Sequence, residues 1–154
     1  MSRIAPGERI GVLGLARSGI AAARLARSRG AEVYASDVSA NPTTQAAAEV
    51  LAKLGVDVEV GRHDIAKLAR CDRIVLSPGI PPSAPVLRAP ELADVPIVPE
   101  LEFAYAELDG PVIAVTGTNG KTTVTALTTH VLRAAGFDAA EGGNIGIALS
   151  ELVL

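Results

Sequence analysis

A glycine-containing segment near residue 120 has the residue types that phosphate binding requires. It reads Gly117-Thr-Asn-Gly-Lys-Thr-Thr123 and follows an apolar run at residues 111–115. Glycines let the backbone approach phosphate oxygens, and the N–H groups at a helix start carry partial positive charge. Lys121 would add a full positive charge, and the hydroxyl of Thr122 could be a ligand of Mg²⁺. The segment therefore predicts a strand, a phosphate-binding loop and a helix.

The spacing within this segment separates it from the commonest phosphate loops. A typical P-loop has four residues between its glycines, whereas Gly117 and Gly120 enclose only Thr118 and Asn119. A generic P-loop kinase is therefore disfavoured. The alternative is an ordinary strand, turn and helix in which Gly-Lys-Thr occurs by chance. Because the glycines, the lysine and the threonine all follow a predicted strand at the required positions, nucleotide binding is favoured.

A second glycine-containing turn follows the first predicted strand. It reads Gly14-Leu-Ala-Arg-Ser-Gly19, and Asp37 stands at the end of the second predicted strand. In dinucleotide-binding folds, this arrangement places a diphosphate at a helix N-terminus and an acidic residue near ribose hydroxyls. The middle glycine of that pattern is replaced by Ala16, whose methyl group disfavours an NAD(P) site but not a differently placed diphosphate. The alternative is that Gly19 serves only helix–strand packing.

Short β-type runs alternate with segments of helical periodicity along the first half of the chain. This alternation is typical of successive β-α-β units and predicts an α/β fold with a Rossmann-like parallel sheet. Apolar residues make up 49% of the chain and aromatic residues 3%, which suits a parallel sheet built from small aliphatic side chains. We predict strands at residues 9–13, 32–36, 56–60 and 73–76, and helices at residues 18–29, 41–54 and 65–69.

The region after residue 76 changes character and then repeats the first pattern. Prolines 78, 81, 82, 85 and 90 prevent long regular structure, while residues 96–98 could add an edge strand. We predict a connecting helix at residues 100–108, a strand at residues 111–115, and a helix at residues 121–135. The apolar face of that last helix contains Val124, Leu127, Val131 and Leu132. We therefore predict a Rossmann-like domain over residues 1–98 and the beginning of a P-loop-type α/β ATPase domain over residues 99–154.

Composition excludes several other functions. A net charge of -3 provides no basic surface for nucleic acid or anionic lipid. No apolar stretch approaches the length of a membrane span, and residues 1–6 do not resemble a secretory signal, so we expect a cytoplasmic protein. Cys71, the only cysteine, is expected to be a small buried hydrophobe. His130 is expected on a helix face, and His63 in a loop where the sequence identifies no partner.

Several motifs together resemble the Mur ligase family across the whole chain. They are the loop at residues 117–123, Leu13-Gly-Leu-Ala-Arg-Ser-Gly19, Ser77-Pro-Gly-Ile-Pro81 and Gly142-Gly-Asn-Ile-Gly146. The turn after the first strand, the Ser-Pro-Gly-Ile-Pro stretch with Ala84-Pro-Val-Leu87, and Pro99-Glu-Leu-Glu102 are most similar to members that add D-glutamate. The L-alanine-adding members are the nearest alternative, and their first loop usually carries additional glycines.

The resemblance implies a binding site for a UDP-sugar. It assigns to the UDP end Arg17, Ser18, Asp37, Val38, Ser39, Ser77, Pro78 and Gly79. Ser18 could offer a hydroxyl and a helix-start N–H to a diphosphate, and Asp37 could accept hydrogen bonds from a uridine hydroxyl or base N–H. Val38 could contribute only backbone contacts and packing. Asn144 matches the family position that reaches the sugar-diphosphate from the second domain, although an Asn between glycines is also a common turn residue.

The resemblance also implies an ATP site and a two-step amide ligation. Its ATP-binding residues would be Gly117, Thr118, Asn119, Gly120, Lys121, Thr122 and Thr123, with Lys121 and Thr122 in catalytic roles and Mg²⁺ bound to Thr122. ATP would convert the carboxylate of UDP-N-acetylmuramoyl-L-alanine to an acyl phosphate, which the amine of D-glutamate would then attack. This reaction belongs to peptidoglycan synthesis. The implied partners are these substrates, without nucleic acid or membrane, and the implied state is a monomer.

Other parts of the family pattern have no counterpart in the 154 residues. These parts are further metal-binding carboxylate and His residues, a modified lysine, and an amino-acid-binding third domain. The apolar residues 150–154 would continue an element of structure, so we expect a catalytically incomplete part of a ligase. The alternative is a nucleotide-sugar-binding module without catalysis.

Overall fold

The computed structural model describes residues 2–144 and 146–154 and contains a five-stranded sheet. Its strands are β1 (Arg9–Leu13), β2 (Glu32–Asp37), β3 (Asp57–Val60), β4 (Arg73–Leu76) and β5 (Ile97–Pro99). Neighbouring strands all run parallel, in the order β3-β2-β1-β4-β5. The predicted α/β class and Rossmann-like parallel sheet are confirmed.

β1 lies at the centre of this sheet, between β2 and β4. Its Ile10 and Val12 are fully buried, as expected for a parallel strand covered on both faces. From β1 the chain proceeds outward to β2 and β3, and it then returns to the other side of β1 as β4. The loops after β1 and β4 therefore leave in different directions, and a crevice forms between them.

Helices cover the sheet at the positions where the periodicity predicts them. The first three are α1 (Arg17–Ser28), α2 (Pro42–Lys53) and α3 (Ile65–Leu68). Leu25 and Ala26 of α1 are fully buried in the core, whereas Arg27 on the same helix is exposed. The Asn41 side chain accepts a hydrogen bond from the Thr44 amide at 2.9 Å and so caps the start of α2. Within the described residues, no helix is long and apolar enough to cross a membrane.

The proline-rich segment between β4 and β5 is an ordered connection. It contains two short 3-10 helices, Pro85–Arg88 and Pro90–Leu92. Val86 and Leu92 are buried in a cluster with Leu13 and Ile74 on one face of the sheet. β5 pairs with β4 alone and lies at the edge, as predicted.

The C-terminal third contains α4 (Glu100–Tyr105), α5 (Lys121–Ala134) and α6 (Leu149–Val153). Phe103 of α4 is fully buried in the larger core cluster. α6 packs against α1 and α4, so the last residues return to the N-terminal sheet unit. The sequence did not predict this return, and the domain boundary between residues 98 and 99 stays a prediction.

The strand predicted at residues 111–115 is absent from the structure. These residues form no strand and pair with none of the five described strands. Val112 and Ile113 are 47% and 63% exposed. A strand gains its hydrogen bonds from a neighbouring strand, so an apolar run without such a neighbour does not become one. The helix that follows does form as α5, but its predicted apolar face is exposed at Val124, Leu127 and Val131.

Candidate functional site

A cleft of about 470 Å³ lies at the carboxyl ends of β1, β2 and β4. Gly14 and Ala16 line it from the turn after β1, and Ser77 lines it from the loop after β4. Ile80 and Val86 of the proline-rich segment add apolar surface. In open parallel sheets, ligands bind in such a crevice, where the strand order reverses. The fold therefore places a candidate ligand site beside the first glycine-containing turn.

Two glycines allow the turn between β1 and α1 to pack closely against the loop after β4. Gly14 has a φ of +91°, in the left-handed region that favours glycine. A Cβ atom on Gly19 would overlap the carbonyl oxygen of Gly14 and lie 2.7 Å from Oγ of Ser77. The buried Ser77 hydroxyl donates a hydrogen bond to that Gly14 oxygen at 3.2 Å. Gly19 therefore has the packing function that the sequence left open, and Ser77 holds the turn.

Asp37 connects the loops that follow β1 and β2. Its Oδ2 accepts a hydrogen bond from the Leu15 amide at 2.8 Å, and its Oδ1 accepts one from the Ser39 amide at 2.8 Å. A carboxylate oxygen can accept more than one hydrogen bond, so Asp37 keeps capacity for a ligand donor. It is half-buried and lines the cleft. The carboxylate thus shapes the site whether or not it touches a ligand.

The N-terminus of α1 has the features of an anion site. Ala16 is the N-cap residue, and no side chain caps the helix start. The first N–H groups of a helix lack intrahelical acceptors and carry its positive dipole end. No acidic residue stands in the first turn, which contains the exposed Arg17 and the half-buried Ser18. A diphosphate near Ala16 would therefore meet backbone amides, a hydroxyl and a guanidinium.

The structure brings only part of the predicted UDP end into the cleft. Val38 is 65% exposed and lines the cleft, as does Gly79. Pro78 and Ser39 are exposed and lie outside the lining, although the Ser39 amide bonds to Asp37. The predicted residues that share the cleft are Asp37, Val38, Ser77 and Gly79, with Arg17 and Ser18 directly after its Ala16.

A second cavity, of about 330 Å³, lies between α1 and the turn that precedes α6. Arg17 lines it from α1, and Gly146 and Ile147 line it from the turn. In the Gly142–Gly146 motif, Ile145 lies outside the described residues. Asn144 is exposed and lines neither of the two cavities. Arg17 is therefore next to this turn, whereas the Asn144 side chain is not brought to either cavity.

Polar contacts hold α6, and with it this turn, against α1 and α4. Arg24 of α1 forms an ion pair with Glu151 at 3.0 Å, in which both side chains are partly exposed. The Ser150 amide donates to Oε1 of Glu100 at 2.8 Å, and Glu100 is only 1% exposed. A partly exposed ion pair contributes little to the stability of the fold, whereas loss of the donor to a buried carboxylate strongly destabilises the fold. The Glu100 contact is therefore the stronger determinant of the turn's position.

The phosphate loop forms the start of α5. Gly117 and Gly120 have φ values of +143° and +76°, and Gly120 is the N-cap residue of α5 without a side-chain cap. The Lys121 ammonium donates to the carbonyl oxygens of Gly117 and Thr118. This places the lysine over the loop that it is predicted to serve. The other predicted ATP-binding residues of the loop are exposed: Asn119, Thr122 and Thr123.

His63, for which the sequence predicts no role, lines the same cleft. Its Nδ1 lies 2.8 Å from Oγ of Ser36, which is fully buried. Burial lowers the pKa of His63 below 6.5, although the carboxylates of Asp37 and Glu59 oppose this effect. The sequence feature that could have identified His63 as a cleft residue is its position just after β3, because the carboxyl ends of neighbouring parallel strands meet at one edge of the sheet. The sequence did not reveal that β3 and β2 are neighbours.

Comparison with known proteins places these features in one family. Residues 8–99 match the family model described as the Mur ligase MurD-like, N-terminal domain. A UDP-N-acetylmuramoylalanine–D-glutamate ligase from Geobacter metallireducens is 42% identical over 147 residues, and one from Nitratidesulfovibrio vulgaris is 43% identical over 157 residues. The alignments cover 96% and 98% of this chain but 32% and 35% of those proteins. The chain thus spans about a third of the length of the curated relatives it matches.

Solved structures show the same relationship. A murein peptide ligase from Psychrobacter arcticus has a TM-score of 0.57 and 29% identity, over 86% of this chain and 28% of that one. A pseudomurein peptide ligase from Methanothermus fervidus has a TM-score of 0.57 and 23% identity, over 96% of this chain and 31% of that one. The second likeness concerns the fold alone.

Proposed function

Because the chain belongs to the Mur ligase family, with a MurD-like N-terminal domain, we propose that it forms the UDP-sugar site and phosphate loop of a D-glutamate-adding ligase. The reaction would be ATP-dependent ligation of D-glutamate to UDP-N-acetylmuramoyl-L-alanine in peptidoglycan synthesis. The observation that carries this proposal is the cleft at the carboxyl ends of β1, β2 and β4 beside the uncapped start of α1. Such a cleft suits a nucleotide with a diphosphate.

In this proposal, the nucleoside lies in the 470 Å³ cleft and the diphosphate lies at the start of α1. Asp37 accepts hydrogen bonds from the ribose or base, with the acceptor capacity that remains beyond its bonds to Leu15 and Ser39. Ser18 and Arg17 bind the diphosphate. Ser77 acts chiefly by holding Gly14, because its hydroxyl already donates to that residue's carbonyl oxygen.

The sugar end would lie towards the second cavity. Arg17 stands next to Ser18 at the start of α1, and it also lines this cavity. Its side chain therefore connects the proposed diphosphate site to the turn before α6. Extension of the ligand in this direction would bring its sugar near Gly146 and Ile147. Asn144 would need to turn inward to contact it, since its side chain is exposed in this structure. We therefore assign Asn144 a ligand-induced contact.

We assign ATP to the loop at residues 117–123, which fits a phosphate chain. The left-handed glycines and the uncapped start of α5 offer backbone N–H groups, and Lys121 needs only to leave its carbonyl partners to meet a phosphate. For Mg²⁺, the chain offers the Thr122 hydroxyl. The described residues contain no group of three or more His, Cys, Asp or Glu that could hold a metal. Nucleotide phosphates and water would therefore supply most of its ligands.

These residues would act by positioning and charge. Bound MgATP would supply the phosphoryl group that activates the substrate carboxylate as an acyl phosphate. Lys121 and the loop amides would bind phosphate oxygens and offset the negative charge that develops on them. The other catalytic groups would come from further chain of the kind that the longer relatives possess. Such chain would also pair with residues 111–115 and cover the exposed face of α5.

The remaining assignments follow from the same proposal. We assign residues 1–98 to the UDP-sugar domain and residues 99–154 to the ATP-binding domain, with α6 linking the two. We propose a monomer located in the cytoplasm, where ATP and UDP-sugars are available. A binding module without catalysis remains the alternative, because the same cleft would serve it equally well.

Calorimetric titration of the purified chain tests the proposal. UDP-N-acetylmuramoyl-L-alanine is the ligand, and UDP and NAD are comparators in the same buffer. Binding of both UDP compounds without NAD binding supports the assignment. Binding of NAD alone would contradict it, because the Ala16 methyl group should exclude that cofactor. Tighter binding of the full substrate than of UDP would indicate that the second cavity contributes.

A further inference from the structure

The cleft contains a hydrogen-bond donor that the proposed UDP site does not yet use. His63 and Asp37 both line the cleft, at the carboxyl ends of β3 and β2 respectively. These strands are neighbours, so the two residues stand at the same edge of the sheet. Asp37 can only accept hydrogen bonds, whereas an imidazole can donate one. A ligand that fills the cleft would therefore meet an acceptor and a donor side by side.

The contact with Ser36 determines which nitrogen of His63 carries the hydrogen. Ser36 is fully buried, and its hydroxyl lies 2.8 Å from Nδ1 of His63 and also near the hydroxyl of Tyr34. The Tyr34 hydroxyl already has two partners, Glu59 and the Asp64 amide, so we assign the hydroxyl hydrogen of Ser36 to Nδ1 of His63. The neutral ring then carries its hydrogen on Nε2. Burial also keeps the ring neutral near pH 7, since it lowers the pKa of His63.

The surroundings of His63 leave Nε2 available to a ligand. The nearby Tyr34 hydroxyl is occupied, because it donates to Glu59 and accepts from the Asp64 amide. Glu59 is further engaged by Arg62. No residue in the described part of the chain accepts a hydrogen bond from Nε2 of His63. The ring is half-buried rather than enclosed, so a ligand in the cleft can reach it.

The other residues of the cleft suit a flat, partly polar ring. Ile80, Pro81, Pro85 and Val86 give it an apolar wall of limited flexibility. Pockets of this kind bind planar groups by apolar contact and orient them with a few polar side chains. Uracil presents an N–H between two carbonyl groups, and this pattern matches one acceptor beside one donor. Ribose hydroxyls do not require the donor, because each can itself donate to Asp37.

We propose that His63 is a base-binding residue that donates a hydrogen bond from Nε2 to a uracil carbonyl, while Asp37 accepts from the adjacent N–H. This inference rests on the proposed function, because it assumes that a uridine nucleotide occupies the cleft. It adds a specificity-determining residue to that site. Ser36 is then a positioning residue, since its hydroxyl fixes the tautomer of His63.

Sulfur analogues of the base provide the test, because sulfur is a weaker acceptor than oxygen. Affinities for UDP, 2-thio-UDP and 4-thio-UDP are measured at pH 7, where the ring of His63 is neutral and the base N–H is retained, with the wild-type chain and with His63→Ala. We expect the substitution to weaken UDP binding about three- to tenfold, as for loss of one hydrogen bond. The analogue whose sulfur replaces the bonded carbonyl oxygen should bind the wild type more weakly than UDP does. It should bind His63→Ala as tightly as UDP does. His130→Ala is the matched control, since it removes the only other histidine, on the exposed side of α5.

A measurement on the wild-type chain tests the same contact and does not depend on whether the variant folds. The two histidine rings are followed by NMR while UDP is added to the wild-type chain. A shift of the His63 ring signals, with His130 unchanged, supports the contact. The proposal is overturned if UDP binds while His63→Ala retains full affinity and neither thio analogue discriminates. If UDP fails to bind the wild type at all, the proposed UDP site itself fails, and the role of His63 fails with it.

Discussion

Substitution of Gly19 by alanine should destabilise the fold, although alanine is the better helix former. An added Cβ would overlap the Gly14 carbonyl oxygen, lie 2.9 Å from the Gly14 carbonyl carbon, and lie 2.7 Å from Ser77 Oγ. Two of these neighbours are backbone atoms and cannot rotate away. Because the added Cβ would lie 1.8 Å from the Gly14 oxygen, the start of α1 would have to move by about 1 Å from the turn and the loop after β4.

The magnitude follows from two opposing effects. Overpacking against well-fixed atoms costs about 1–3 kcal/mol, and backbone neighbours place this site near the upper end. Alanine regains about 1 kcal/mol of helix propensity relative to glycine. We expect the free energy of unfolding to fall by about 2 kcal/mol, which lowers the melting temperature by about 4–8 °C for a chain of this size.

Urea unfolding followed by circular dichroism measures this effect, which is convenient because the chain has no tryptophan. Gly110→Ala is the matched control, since an added Cβ there would meet no atom within 4 Å and its φ is not in the left-handed region. The packing argument is refuted if Gly19→Ala and Gly110→Ala unfold at the same urea concentration. Weaker UDP binding by Gly19→Ala at low urea would further connect the packing to the phosphate site.

Three further predictions concern other parts of the chain. Lys121→Ala should leave UDP-sugar affinity within about twofold of wild type, because distant sites behave independently; a large loss in calorimetry would show that the two sites are coupled. Burial raises the pKa of Cys71 from its ordinary value of about 9 to about 11, so at pH 8 the folded chain should hold about a hundredfold less thiolate than the unfolded chain. Iodoacetamide labelling with and without urea measures this, and equal rates would contradict it. Because the pKa of His63 is lowered in the folded state, the unfolded chain binds a proton more readily, and stability should fall as pH drops through about 6.5. Urea midpoints at pH 7.5 and 5.5 should show this loss in wild type and His130→Gln but less of it in His63→Gln.

The sequence predicted the parallel sheet well because its signals are local. Each strand from β1 to β4 is a short β-type run, and glycine or a capping residue marks the ends of the helices between them. The edge strand β5 was also identified, since proline before residue 97 and a short apolar run leave few alternatives. Differences at element ends are of one or two residues, which is the usual uncertainty of helix and strand termini, except that the connecting helix predicted at residues 100–108 ends three residues earlier, at Tyr105.

What the sequence could not predict depends on contacts between distant residues. The docking of α6 on the rest of the fold rests on contacts such as that of the Ser150 amide with Glu100, and neither residue signals its partner locally. The strand predicted at residues 111–115, which does not form, shows the same limit of local sequence patterns. Its apolar composition is correct for a strand, but strand formation requires a neighbour that a local pattern cannot supply. The sequence predicts no role for His63 for the same reason, because strand order alone brings it beside Asp37.

The glycine-containing turn shows why packing and binding interpretations of one motif need not compete. Gly19 lets α1 approach β4, and Ser77 and Asp37 then fix the turn through Gly14 and Leu15. This close approach is also what presents the uncapped amides of α1 to the cleft. A helix start held at a longer distance would offer the same N–H groups, but not beside the cleft at the carboxyl ends of β1, β2 and β4. The packing is therefore the means by which the anion site is positioned, so a substitution that relaxes it should impair stability and nucleotide affinity together.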